Sequence, residues 1–114
     1  MWFLRGDRRL SPFARATIEN GGVDRRLSAV SVWEVAVKSG LGKLSVPDDF
    51  HLRLYEQGLT ALPVLDSHAV RVRSLPHHHR DPFDRLLVAQ AQAEGMAILS
   101  KDERLRVYDV RVVW

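Results

Sequence analysis

The segment from Arg80 to Asp102, RDPFDRLLVAQAQAEGMAILSKD, constrains the fold more than any other part of the chain. Asp81-Pro82 supplies an N-cap and a first helical residue, and Gly95 supplies a C-cap. Between them, Phe83, Leu86, Leu87, Val88, Ala89 and Ala91 make the helix Pro82–Glu94 apolar on nearly every face, so it must be covered from more than one side. Met96–Ser100 follows after a tight turn as a short buried strand. The segment also carries an acid where each element meets its loop: Asp84 in the first helical turn, Asp102 just past the strand. In an open α/β sheet, ligands and metals bind where elements converge on the carboxyl edge of the strands. Two carboxylates brought to that edge suggest a hard-cation site.

The remainder of the chain is punctuated in the same way. Ser11-Pro12 opens a helix that ends before Gly21-Gly22. Arg26–Val30 reads as a short strand running into Ser31. The spacing of Ser31 and Glu34 matches a capping box, from which a buried helix continues to Gly40. After a loop over 42–46, Pro47-Asp48-Asp49 starts a helix over Phe50–Gln57. Leu59–Leu65 is a strand interrupted by Pro63, and therefore short or at an edge. Asp66-Ser67 caps a helix to about Arg73, ended by Pro76. Glu103–Val107 is a helical turn and Val110–Val113 a final strand. Strands alternating with helices predict a parallel sheet flanked by helices, joined by right-handed crossovers.

The 114 residues are enough for one domain with its own core and too few for two. At 46% apolar and 27% charged, the composition excludes a disordered chain. No apolar run approaches the ~18 residues of a membrane span, and charges at Arg5, Asp7, Arg8 and Arg9 come too early for a signal peptide. The absence of cysteine excludes disulfides and thiolate metal sites, and fits a cytoplasmic protein. A net charge of +3 is compatible both with a phosphate-bearing partner and with a solvated arginine-rich surface.

Each candidate residue has a structural reading beside the functional one. Glu34 is either the reciprocal partner of Ser31 in a capping box or an acid projecting over the carboxyl edge. Asp81 is an ordinary N-cap before proline. Asp84 gains from the helix dipole, but on a buried helix it needs a partner, either Arg85 or a cation. Asp102 is either the N-cap of the following turn or an acid of the site. Together these carboxylates have the character of a magnesium or manganese site. The run His77-His78-His79 is a polar loop without further ligands at metal spacing. No glycine-rich phosphate loop and no GxSxG or HExxH motif occurs.

The runs SAVSVWEVAVKSGLGKLSVP and HHHRDPFDRLLVAQAQAEGMAILSKDERLRVY resemble the PIN-domain ribonucleases, specifically the VapC-type toxins of bacterial toxin–antitoxin pairs. The resemblance covers essentially the whole chain as a single domain over 1–114. It implies a three-layer α/β/α fold with a small parallel sheet and a carboxylate cluster that binds Mg2+ or Mn2+ and cleaves RNA phosphodiesters. Glu34, Asp84 and Asp102 match the family's metal-binding acids, with Asp81, Arg85 and Lys101 as accessory positions. Lys38, Arg85 and Lys101 are candidates for holding the RNA backbone. A cognate antitoxin and a homodimer are further expectations from the family.

The sequence departs from that pattern at its start. Trp2-Phe3-Leu4 matches a stretch that follows the family's first strand, so that strand and its terminal aspartate are expected to be missing. The competing expectation is therefore a catalytically degenerate PIN domain that retains only antitoxin or RNA binding.

Overall fold

In the computed structural model of the protein, the described residues are Ala16, 24–77, 81–100 and 102–114. Ala16 is helical, and the rest of the helix expected after Ser11-Pro12 lies outside these residues, as do His78, His79, Arg80 and Lys101. The described elements run β1 (Arg26–Ser28), α1 (Ala29–Gly40), α2 (Phe50–Glu56), β2 (Thr60–Leu62), α3 (Asp66–Arg71), α4 (Pro82–Glu94), β3 (Ile98–Leu99) and β4 (Val112–Val113). One-turn 3-10 segments follow α3, at Val72–Ser74, and β3, at Glu103–Val107.

All strand pairing is parallel. Leu27 lies opposite Ala61 in the β1–β2 pair, and Ile98 lies opposite Val112 in the β3–β4 pair. The strands are shorter than expected and form two two-stranded ladders. One cause is local: Pro63 has no N–H to donate, so the β2 ladder stops at Leu62.

Alternation along the strands defines the layers. Ile98 and Leu62 are buried in a cluster with Leu87, Val88, Ala89 and Ala91 of α4. The next residue of β3, Leu99, joins Leu27, Leu59 and Leu54 of α2 in a second cluster. Successive strand residues point to opposite faces, so α4 and α2 cover opposite sides of the strands. That is the three-layer α/β/α arrangement the sequence predicts. Gly95 closes α4 with φ of 64°, a left-handed conformation that glycine adopts without a steric penalty.

The start of α1 departs from expectation, and the capping box of Ser31 and Glu34 does not form. Ser28 is the N-cap instead, its Oγ accepting the Val30 N–H at 3.0 Å, and Ser31 is buried within the helix. The reason is tertiary. The Ser28 hydroxyl donates to Oε1 of Gln90, a fully buried residue of α4. Gln90 Nε2 in turn donates to the Pro63 carbonyl at 3.2 Å. One amide thus fastens the ends of β1 and β2 to α4. No helix among the described residues is long and apolar enough to cross a membrane.

A candidate acidic site at the carboxyl ends of the strands

Because α1 starts at Ala29, Glu34 lies in its second turn, where it has no capping role to explain it. Its carboxylate is buried and meets Nζ of Lys38 at 2.7 Å, one turn further along the helix. Trp33, beside it, packs edge-on against Phe83 of α4 with ring centroids 4.3 Å apart. This aromatic contact joins α1 to the first turn of α4, where Phe83 is followed directly by Asp84.

Asp81 is the N-cap of α4, as its position before proline predicts. Its Oδ1 accepts the Phe83 N–H at 2.9 Å and the Asp84 N–H at 3.3 Å. Asp102 lies past β3, where its N–H donates to Ser100 Oγ at 3.0 Å. It caps the following 3-10 turn by accepting the Arg104 N–H at 3.0 Å. The Arg104 side chain folds back onto the same carboxylate, with Nε 3.1 Å from Oδ1 and Nη2 2.8 Å from Oδ2.

Asp84 shows that these groups form one electrostatic unit. Its carboxyl is pushed up from 3.8 to about 6, first by burial and then by the negative charges of Asp81, Asp102 and Glu34. Arg104 is the group that opposes the shift. The guanidinium is itself held more firmly protonated than usual by its hydrogen bond to Asp102, by the charge of that same residue and by the fields of Asp84 and Asp81. Asp81, Asp102 and Glu34, from the N-cap of α4, the exit of β3 and α1, therefore all act on Asp84 at the carboxyl ends of the strands, the edge where an open α/β sheet takes its ligands.

A family model for the PIN domain matches residues 1–111, nearly the full chain. The chain belongs to the PIN domain family. PIN domains are generally nucleases and typically use divalent metals. Comparison with curated proteins gives no match.

In this PIN domain the donor chemistry fits such a cation. Glu34, Asp84 and Asp102 offer only carboxylate oxygens, the hard ligands that magnesium and manganese accept. Their positions are a separate matter: among the described residues, no three His, Cys, Asp or Glu side chains stand close enough to hold one ion. Glu34 and Asp102 are instead engaged by cations of the chain itself, Lys38 and Arg104.

One expected accessory residue, Arg85, is not brought to the acids. Arg85 turns toward the segment before α4, donating to the carbonyls of Pro76 at 2.8 Å and Val72 at 3.3 Å. Lys101 lies outside the described residues. Sequence reasoning missed Arg104. The available signal was its place two residues after an N-cap aspartate, where a tight turn folds a long side chain back onto the cap.

Proposed function

We propose that this PIN domain is a divalent-metal-dependent endoribonuclease of the VapC toxin type, hydrolysing RNA phosphodiester bonds and restrained by a cognate antitoxin. The observation that carries the reading is the burial of Asp84 with Asp81, Asp102 and Glu34 acting on it, which together raise its carboxyl to about 6. Perturbed carboxyls of this kind mark sites built for charge or proton handling. Glu34, Asp84 and Asp102 would hold the metal, which when bound lowers the pKa of a water and offsets charge on the phosphate.

The chain's own contribution is to gather and tune the acids. At neutral pH, Asp84 is mostly ionised, yet far more basic than an ordinary aspartate. One of the two helix acids, Glu34 or Asp84, would orient the attacking water or take its proton as the water oxygen bonds to phosphorus and the RNA P–O bond breaks. Asp81 holds the first turn of α4 in place by capping it. Trp33 and Phe83 keep α1 and α4 together beside Glu34 and Asp84.

RNA cleavage by the full chain, followed over a range of Mg2+ and Mn2+ concentrations, tests this reading. Cleavage that requires metal and drops by at least about a hundredfold in Asp84→Asn and Glu34→Gln supports it. Equal cleavage by the wild type and both variants removes the assignment.

A second reading, a non-catalytic PIN domain that binds RNA or antitoxin, is favoured by one observation: Lys38 and Arg104 already neutralise two of the acids. RNA binding without cleavage at any metal concentration would select it.

A further inference from the structure

Of the buried acidic and basic side chains among the described residues, Glu34 and Asp84 belong to the acidic site and His68 of α3 does not. Its side chain is 1% exposed. Burying an imidazole is costly unless its ring nitrogens find partners. Nδ1 lies 3.0 Å from the backbone nitrogen of Leu65, just ahead of α3. A backbone N–H can only donate, so Nδ1 accepts and carries no proton. The proton of the neutral ring then sits on Nε2, which faces Oε1 of Glu94 across 3.7 Å.

A second donor approaches the same lone pair. Nε2 of Gln90 is 3.4 Å from Nδ1 of His68 and 3.2 Å from the Pro63 carbonyl. An amide nitrogen has two hydrogens, and these two acceptors take one each. The amide oxygen is thereby turned to the Ser28 hydroxyl. That hydroxyl accepts the Val30 N–H at 3.0 Å, which leaves its own hydrogen for Gln90. The direction of every bond from His68 to the first turn of α1 is thus fixed. A ring with its proton on Nδ1 would set three N–H donors against one another and press the Gln90 amide to turn.

We propose that His68 is a positioning residue for the acids. Held as the Nε2–H tautomer, it orients the Gln90 amide that ties β1 and β2 to α4, and with it the start of α1 at Ala29. Glu34 stands on α1 and Asp84 on α4, so the ring acts on their relative placement through Gln90. The structural part of the inference is independent of what the acids bind. Its effect on cleavage rests on the ribonuclease reading.

The test uses full chains at pH 7.5. In isotope-labelled wild type, NMR couplings between ring protons and ring nitrogens report the tautomer of His68. Two variants then separate the acceptor from the bulk of the ring. His68→Asn keeps an acceptor at the δ position and leaves space, whereas His68→Leu fills more of the space and has no acceptor. The indole N–H signal of Trp33, identified by its loss in Trp33→Phe, reports how α1 seats on α4, because the ring lies 4.3 Å from that of Phe83. Cleavage of a single-stranded RNA oligonucleotide is the third readout.

The wild-type ring is expected to be Nε2–H. The Trp33 signal should stay in place in His68→Asn and shift in His68→Leu. Cleavage should fall about tenfold in His68→Leu and stay within about threefold of wild type in His68→Asn. A role in packing alone reverses that order, since leucine then serves better than asparagine. An Nδ1–H or doubly protonated ring overturns the proposal, and this measurement decides it if neither variant folds. A Trp33 signal unmoved in His68→Leu, or displaced equally in both variants, overturns it too, as does full cleavage by His68→Leu. A wild type that cleaves no RNA removes the ribonuclease reading, while the spectra still decide the role of His68.

Discussion

Asp84 carries a free-energy cost that can be measured. A carboxyl raised from 3.8 to about 6 binds its proton more tightly in the folded chain than in the unfolded one. Folding is therefore favoured at low pH, and that advantage is lost as pH rises from about 4 through about 6. The full cost above that window is on the order of 3 kcal/mol. In metal-free protein at pH 7.5, Asp84→Asn is expected to raise the thermal midpoint by several degrees. The gain over wild type should shrink toward pH 4, where both side chains are neutral. A midpoint that is unchanged or lower at pH 7.5 would mean that Asp84 is not under this charge pressure. The sequence makes the acid and its buried helix visible. It conceals the pressure, because Glu34 and Asp102 reach Asp84 from other elements, and it conceals Arg104, whose role depends on how tightly one turn closes.

At the scale of elements, α4 was legible because its signals are local: an aspartate–proline start, a glycine stop and apolar residues between. The start of α1 was misread because the Ser31–Glu34 spacing offered an equally local signal, and the deciding contact comes from Gln90, 62 residues from Ser28. The two assignments predict different mutants. Ser28→Ala removes the side-chain cap and the partner of the Gln90 oxygen, and should cost about 1–3 kcal/mol in urea unfolding. Ser31→Ala should cost less, because its hydroxyl caps nothing. A larger loss at Ser31 would restore the rejected helix start. Gln90→Leu should be as severe as Ser28→Ala or worse, since it leaves the buried Ser28 hydroxyl, and the Pro63 carbonyl, without the amide. The same contact fixes where α1 begins relative to α4, and so where Glu34 stands relative to Asp84.

Over the whole molecule, alternating strands and helices announced the three layers, and the opposed burial of Ile98 and Leu99 realises them. Strand length was not legible, because ladders end where tertiary partners end rather than where apolar runs do. The layered arrangement has a consequence for ligand binding. Glu34, Asp84 and Asp102 belong to α1, α4 and the segment after β3, so an ion shared among them, as the proposed function has it, would link three parts of the fold. Binding to the native state alone then stabilises the entire chain by mass action, about 2.7 kcal/mol at a Mn2+ concentration one hundred times Kd. Thermal scans of the wild type at pH 7.5 should show a midpoint that climbs with Mn2+ concentration, and Asp84→Asn should lose most of that climb. If Asp84 is a ligand of that ion, protonation should weaken binding at pH 5, where Asp84 lies below its value of about 6 and is mostly neutral. Apparent affinity should fall up to about tenfold for each pH unit below that point. A midpoint indifferent to Mn2+ at pH 7.5 would show that the acids repel one another without sharing an ion. A climb that persists undiminished at pH 5 would place the ion on carboxylates other than Asp84.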